Sequence, residues 1–300
     1  MSTPVSLELP QGSRRATVRT DRGEFAVLDA MPAAGPCELG TALLVPGYTG
    51  SKEDFIAILG PLAAAGRRVV AVDMRGQYQT AGPDDPAAYD LAELGADIAA
   101  LASATSAAHL LGHSFGGLVV REAVLGGSSP VSLTLLSSGP AALPGQRAAE
   151  LHSFLAHLDG TAACDLGPRI AELWATALRP QAESDGVPAP ILAFLEQRAL
   201  ASNPTGLVTM AAQLLKAEDK TASLADREIP AFVLYGEDDN AWPTGLQADM
   251  AARLGAERTC IPGAAHSPNV EAPATTAHAL TAFWNAAESA RPGQPEADRA

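Results

Sequence analysis

The chain has 300 residues, of which 47% are hydrophobic, and a formal net charge of −14. This length suits one large α/β domain or two small domains, and the apolar content is ample for a buried core. The negative charge argues against nucleic acid as a partner and disfavours anionic membranes and strongly anionic substrates, because phosphates would be repelled.

The sequence predicts a cytoplasmic protein with no membrane partner. Its first thirty residues lack the apolar stretch of a signal peptide, and no run approaches the roughly 18 apolar residues of a membrane span. The three cysteines, Cys37, Cys164 and Cys260, match neither a disulfide framework nor zinc-ligand spacing. We therefore expect free thiols, no metal and no cofactor, and the oligomeric state stays open. The paired basic residues, Arg14-Arg15 and Arg67-Arg68, are expected on solvated faces.

Short apolar strands alternate with helical patterns through the first 140 residues. A hairpin turn is predicted at Asp21-Arg22-Gly23. The predicted strands cover residues 15–20, 24–29, 41–45, 69–72, the run before Ser114, and 131–136. The predicted helices cover residues 55–65, 89–102 and the segment after Ser114. This alternation is typical of a mostly parallel sheet with helices on both faces.

The pattern changes between residues 141 and 228, where no convincing strand is found. Helical segments are opened or bounded there by Pro168, Pro190 and Pro204. We interpret this block as a helical cap inserted into a core of residues 1–140 and 229–288. Strands resume at 231–235 and 257–261, a final helix covers 274–287, and the polar tail 289–300 is expected to be disordered.

Gly112-His113-Ser114-Phe115-Gly116 lies between an apolar strand and a helix. A serine in that place fits a nucleophile elbow, a strained turn that aims its hydroxyl out of the sheet. Glycine is needed at both ends because side chains at 112 and 116 would clash. The alternative interpretation is an ordinary glycine-rich turn between a strand and a helix.

A serine nucleophile needs a base within hydrogen-bond reach and a carboxylate that orients the base. Downstream of Ser114, the loop after the strand at 231–235 carries three carboxylates, Glu237, Asp238 and Asp239, any one of which could face the base. The loop after the last strand carries His266. Both loops leave the carboxyl edge of the predicted sheet, where the active sites of parallel sheets lie. The other histidines are expected to be structural. His109 lies at the buried start of its strand, and His113 is expected to pack beside Ser114 as support. The remaining three, His152, His157 and His278, lie on predicted helices.

These motifs resemble those of the α/β-hydrolase superfamily, in its capped, esterase-like branch, over about residues 15 to 287. Gly236-x-x-Asp239-x-x-x-Pro243 is similar to the family's acid loop, which favours Asp239 over Asp238. The segment from Ala265 to Pro273 is similar to the family's histidine segment. The resemblance implies the α/β-hydrolase fold, with a mostly parallel sheet flanked by helices and a helical cap, and Ser114, His266 and Asp239 as catalytic residues.

The two expected oxyanion donors are backbone N–H groups. Phe115 supplies one at the start of its helix, where the helix dipole helps. The loop Pro46-Gly47-Tyr48-Thr49-Gly50-Ser51 resembles the family's His-Gly-x-x-Gly loop, which implies the N–H of Tyr48 as the second. Proline stands where histidine is usual, so a side chain that normally braces this loop is missing. Asp73-Met74-Arg75-Gly76 resembles another family loop, in which Arg75 is expected to tie loops together.

The sequence thus predicts a serine hydrolase that cleaves a carboxylic ester or related acyl bond of a small, mainly neutral molecule. A C–C bond hydrolase, thioesterase, aminopeptidase, perhydrolase or acyltransferase would use the same three residues, and fold and triad cannot separate them. A non-enzymatic small-molecule receptor on this scaffold is the alternative from another class. The expected substrate pocket is lined by Trp174, Leu207, Met210 and Trp242.

Overall fold

The computed structural model describes residues 2–32 and 39–291, and within them eight strands form one sheet. Cys37 and most of the tail predicted to be disordered, residues 292–300, lie outside the described residues. The strands are β1 (Ser13–Thr20), β2 (Gly23–Ala30), β3 (Leu39–Val45), β4 (Arg67–Val72), β5 (Ala107–His113), β6 (Ser132–Leu136), β7 (Ala231–Gly236) and β8 (Glu257–Ile261).

The sheet order is β1-β2-β4-β3-β5-β6-β7-β8. Strands β1 and β2 form an antiparallel hairpin around the predicted turn, and β2 also pairs antiparallel with β4. All other neighbours are parallel. The predicted fold class, a mostly parallel sheet flanked by helices, is therefore confirmed, and the carboxyl ends of β3 to β8 meet along one edge.

The described residues contain twelve α-helices, supplemented by short 3₁₀ segments at Lys52–Phe55 and Pro86–Tyr89 and a π turn at Trp174–Leu178. The α-helices are α1 (Ile56–Ala64), α2 (Leu91–Thr105), α3 (Phe115–Leu125), α4 (Gly145–Leu158), α5 (Ala163–Leu173), α6 (Arg179–Ser184), α7 (Ala189–Ala201), α8 (Pro204–Lys216), α9 (Thr221–Ala225), α10 (Thr244–Leu254), α11 (Pro268–Glu271) and α12 (Pro273–Ser289). None of them is long and apolar enough to cross a membrane.

Two apolar layers, one on each face of the sheet, form the core. Strand residues alternate between them, so that Leu110 packs with α2 and α3 whereas Leu111 packs with α1 and α12. This alternation follows from the two-residue period of a β-strand. Because both faces of the central strands are buried, these strands are continuous apolar runs in the sequence.

Between β6 and β7 the structure has helices α4 to α9. Pro190 and Pro204 lie in the first turn of α7 and α8, where a missing N–H removes no helical bond. Pro168, however, lies inside α5, so its predicted role as a helix start is wrong. Helix α10 was not predicted, because its alternating small and polar residues give only a weak apolar stripe.

The expectation that Arg67-Arg68 lies on a solvated face is also wrong. Arg67 is fully buried, and its guanidinium donates to Glu288 at 2.6 Å, to Asn285 at 2.7 Å and to the Gly40 carbonyl at 2.6 Å. These partners satisfy a charge that could not otherwise be buried. Arg68 pairs with Asp29, as does Arg14, whose side chain is exposed.

The ion pair between the buried Arg67 and the half-buried Glu288 generates a stability prediction. Burial by itself raises the pKa of Glu288. Hydrogen bonds from Arg67 and His109 outweigh this effect and hold the pKa below its ordinary value. A lowered carboxyl pKa contributes stability that is present above the unfolded-state pKa and lost as pH falls. Glu288→Ala leaves the Arg67 charge buried without its partner and should lower the free energy of unfolding by about 3 kcal/mol at neutral pH.

Urea unfolding measures this change, with Glu183→Ala as the matched control. Glu183 pairs with Arg179 on an exposed helix surface, where an ion pair stabilises little. The difference between wild type and Glu288→Ala should shrink in acid, where Glu288 protonates. Equal effects of the two substitutions would contradict the account of the buried pair.

Candidate active site

Ser114 occupies a sharp turn between β5 and α3. Its backbone has φ 55° and ψ −119°, a conformation that a residue with a side chain rarely adopts. A Cβ on Gly112 would collide with the backbone of Gly116, and a Cβ on Gly116 would collide with the carbonyls of Val45 and Pro46. The turn therefore needs glycine at both positions, and it presents the serine hydroxyl at the carboxyl edge of the sheet.

A chain of hydrogen bonds joins Ser114, His266 and Asp239. The Oγ of Ser114 lies 3.0 Å from Nε2 of His266, and Nδ1 of His266 lies 2.9 Å from Oδ1 of Asp239. The three side chains come from the ends of β5, β8 and β7, which lie close together at one sheet edge. This geometry allows the imidazole to take a proton from the serine hydroxyl while the carboxylate holds its other nitrogen.

Asp239, not Asp238, faces the imidazole. The carboxylate of Asp239 also accepts hydrogen bonds from the Ala241 N–H at 2.9 Å and from Nε2 of Gln247 at 2.8 Å. Three hydrogen-bond donors around this one buried carboxylate fix its orientation. Asp238 is exposed, and its backbone N–H donates to the Ala264 carbonyl.

Hydrogen bonds to the backbone of His266 and of its two neighbours fix the loop that carries it. The Glu271 carboxylate accepts the N–H groups of Ala265 and Ser267, the residues that flank His266. His113 packs beside the imidazole, with ring centroids 5.1 Å apart, and its Nε2 donates to the His266 carbonyl at 2.8 Å. Burial and the neighbouring His266 lower the pKa of His113 to about 3, so His113 is neutral and acts as a fixed N–H donor at neutral pH.

The two N–H groups expected to bind an oxyanion belong to a neighbour of Ser114 in the chain and to a loop that lies close to it. Phe115 is the first residue of α3, and Gly47 lies so close to Ser114 that a Cβ on it would be 3.2 Å from the serine Cβ. Within the described part of the chain, neither the Phe115 nor the Tyr48 N–H has a hydrogen-bond acceptor. The Tyr48 hydroxyl donates to the Leu207 carbonyl at 2.8 Å, and burial raises the pKa of that hydroxyl above its ordinary value.

A cavity of about 430 Å³ opens above Ser114 and His266. Its walls come from the loops at the sheet edge and from helices α4, α5, α7 and α8. The large apolar side chains of its lining are those of Leu143, Leu151, Phe154, Ile170, Leu178, Leu207 and Leu214. Exposed polar residues also line it: Arg147 donates to Glu150 at 3.2 Å and to Asn240 at 3.1 Å.

Of the four residues predicted to line the pocket, Leu207 does so and the other three do not. Trp174 packs against an apolar cluster of α7 that includes Leu195, and Met210 faces the core on the sheet side. Trp242 lies beside His266, with ring centroids 6.4 Å apart, and its indole N–H donates to the Ala141 carbonyl. An apolar stripe identifies which face of a helix is buried, but not whether that face meets another helix or a cavity.

Several lining residues were not found by sequence reasoning. Leu151 and Phe154 of α4 give no signal beyond their apolar character, and Ser2 reaches the cavity from a distant part of the sequence.

The remaining histidines are outside the site. His109 is buried between Ser132 and Glu288, His152 and His157 lie on α4, and His278 lies on α12. Among residues 2–32 and 39–291, no cluster of His, Cys, Asp and Glu could hold a metal ion.

Comparison with known proteins agrees with this architecture. A model of the alpha/beta hydrolase family matches residues 42–279, which is most of the chain. The match includes the strand before Ser114 and the loops that carry Asp239 and His266. The chain therefore belongs to the alpha/beta hydrolase family, as its resemblance to that family predicts.

Individual relatives are more distant. A protein of Variovorax paradoxus provisionally named carbamate hydrolase RutD is 38% identical over 93 residues, which are 30% of this chain and 35% of that protein. The match thus spans about a third of the relative's length.

Two solved structures share the fold over nearly the whole chain. The first, from Acinetobacter baumannii and provisionally assigned as a lipase, covers 93% of both chains with a TM-score of 0.73 and 17% identity. The second, esterase RhEst1 from Rhodococcus, covers 92% of this chain and 99% of its own, with a TM-score of 0.64 and 22% identity. At these identities the similarity establishes the fold alone.

The site geometry predicts that two adjacent aspartates differ sharply in importance. Asp239→Asn should lower kcat by about 10⁴-fold, because an amide no longer selects the imidazole tautomer that accepts the serine proton. Asp238→Asn is the matched control and should leave kcat unchanged, because that side chain is exposed. Steady-state hydrolysis of p-nitrophenyl butyrate measures both. The reverse order of effects would place the acid at residue 238.

Proposed function

We propose that this protein is a serine hydrolase that cleaves carboxylic esters or closely related acyl bonds through an acyl-enzyme. One observation carries the proposal: Ser114, hydrogen-bonded through His266 to Asp239, lines a mostly apolar cavity. A serine so connected is the usual nucleophile of acyl transfer.

In the proposed mechanism, His266 removes the proton from Ser114 as the oxygen attacks the acyl carbon. The charge that develops on the acyl oxygen is stabilised by the N–H groups of Tyr48 and Phe115. Asp239 stabilises the imidazolium, which then gives its proton to the leaving alcohol. Water repeats the sequence on the acyl-enzyme and releases the acid.

We further propose that residues 141–228 act as a cap that limits the length of the acyl chain. The cavity is at the smaller end of the range for small-molecule sites, and its lining is mostly apolar. A neutral short- or medium-chain ester fits this volume and polarity. The net charge of −14 disfavours strongly anionic substrates and anionic lipid interfaces.

Several other hydrolytic activities would use the same three residues. The segment shared with the carbamate hydrolase-like protein makes a carbamate a reasonable member of a substrate panel, because its carbonyl is attacked in the same way. Thioesters, amides, lactones and C–C bonds belong in that panel for the same reason. A receptor without an activated serine would turn over none of these compounds.

The decisive variant is Ser114→Ala. Loss of the nucleophile of such a triad lowers kcat by about 10⁶-fold, so turnover of p-nitrophenyl butyrate should fall to background. Ser153→Ala, on the exposed face of α4, is the control and should retain full activity. A folded Ser114→Ala protein that keeps more than about a hundredth of the activity would overturn the assignment of the nucleophile.

A chain-length series tests whether the cavity limits the length of the acyl chain. Each buried methylene contributes about 0.8 kcal/mol, which corresponds to about a fourfold rise in kcat/KM per methylene until the cavity is full. Values should rise from p-nitrophenyl acetate to butyrate or octanoate and fall at palmitate, and tributyrin should be preferred to triolein.

A substitution in the cavity wall should move this optimum. Leu151→Phe narrows the cavity and should shift the preference toward shorter chains, whereas Leu200→Phe, on an exposed surface outside the cavity, should not. A clear preference for palmitate and triolein would show that long chains are accommodated and that the cap does not limit them.

A further inference from the structure

Gln77 is a buried glutamine in the loop that follows β4, and every polar atom of its side chain is paired. Its Nε2 donates to the carbonyl of Gly47 at 2.8 Å and to the carbonyl of Tyr48 at 3.0 Å. Its Oε1 accepts the N–H of Met74 at 3.1 Å. The reverse amide orientation would place Oε1 against two carbonyl oxygens, so only this orientation is compatible with its neighbours.

The position of Gln77 relative to the loop after β3 is set by a second contact between the two loops. Asp73 accepts both the backbone N–H of Lys52 at 2.8 Å and its Nζ at 2.6 Å. Lys52 directly follows the Pro46–Ser51 segment, and Lys52 and Asp73 are both buried. This contact joins the loop after β3 to the loop after β4 close to the ends of the two strands. Gln77 therefore lies within hydrogen-bond reach of Gly47 and Tyr48.

The orientation of one peptide plane follows from these bonds. The carbonyl of Gly47 and the N–H of Tyr48 belong to the same trans peptide and point in opposite directions. Gly47 and Tyr48 line the cavity together with Ser114, whereas Gln77 does not and lies behind the loop. Gln77 holds the Gly47 carbonyl from outside the cavity, together with the Gly50 N–H at 3.1 Å, and this arrangement favours a Tyr48 N–H directed toward the cavity.

We propose that Gln77 is the positioning residue of the oxyanion hole. It keeps the Tyr48 N–H aimed at the acyl oxygen, and it supplies the bracing that the family's histidine would give and that Pro46 does not. A hydrogen bond to the Gly47 carbonyl also polarises that peptide and strengthens its N–H as a donor. The inference rests on the proposed serine hydrolase function.

Gln77→Met tests the proposal, because methionine has a similar length and no donor. The Tyr48 N–H would remain but would be held less firmly, so stabilisation of the transition state should suffer more than substrate binding. We expect kcat for p-nitrophenyl butyrate to fall about 10- to 100-fold while KM changes less than about threefold. Binding of butane-1-boronic acid, which forms a tetrahedral adduct with a serine oxygen, should weaken by a similar factor.

Two further variants separate positioning from stability. Gln77→Asn keeps a buried amide but is one methylene too short to reach both carbonyls, and it should lose kcat in the same way. Gln213→Met is the matched control: Gln213 is also buried and donates to Asp90, but it lies outside the cavity. It should leave kcat and boronate affinity at wild-type values.

The proposal is overturned if Gln77→Met and Gln77→Asn fold and keep wild-type kcat. It is also overturned if they raise KM with kcat unchanged, or if Gln213→Met lowers kcat as much as they do. If Gln77→Met does not fold, Gln77→Asn alone decides. Ser114→Ala distinguishes this outcome from failure of the proposed function. Activity that depends on Ser114 but not on Gln77 refutes only the positioning role.

Discussion

The strained backbone of Ser114 is the constraint on which the rest of the site depends. A positive φ at a residue with a side chain is unfavourable by about 1–3 kcal/mol, and the surrounding structure must impose it. Here β5 and α3 approach so closely that Gly112 and Gly116 are in near contact, while Gly116 also lies against the end of β3. The parallel sheet supplies this imposed geometry, because five of its neighbouring pairs run in one direction and end at one edge.

Neutral or fully paired polar side chains hold the groups around that serine. Gln247 orients Asp239, Glu271 and the uncharged His113 fix the backbone around His266, and Gln77 holds the carbonyls of the oxyanion loop. Two of these bonds join residues eight and four positions apart, and the other two join residues 153 and 30 positions apart. Such supporting contacts would hold the three side chains within the small tolerance that the proposed acyl transfer requires. In this protein, the loop that carries the Tyr48 N–H is held by Gln77, which belongs to the loop after β4.

The fold and the three central site residues were predictable from sequence because their signals are local. The elbow is a five-residue pattern, and the choice of Asp239 rested on its spacing from Gly236 and Pro243. The cavity wall was not predictable, since Met210 and Leu207 share one apolar stripe but face different surroundings. The roles of Gln77 and Arg67 depend on partners about 30 and 221 residues away, respectively, and no short motif records such pairings.

The central claim of this account is that Ser114 is an activated nucleophile. The most direct measurement is stoichiometric inactivation by diethyl p-nitrophenyl phosphate, followed by mass spectrometry of the digested protein. The account predicts one p-nitrophenol released per chain and a single diethylphosphoryl adduct on the peptide that contains Ser114, with loss of esterase activity in proportion to labelling. No adduct, or an adduct on another residue that accompanies the loss of activity, would contradict it.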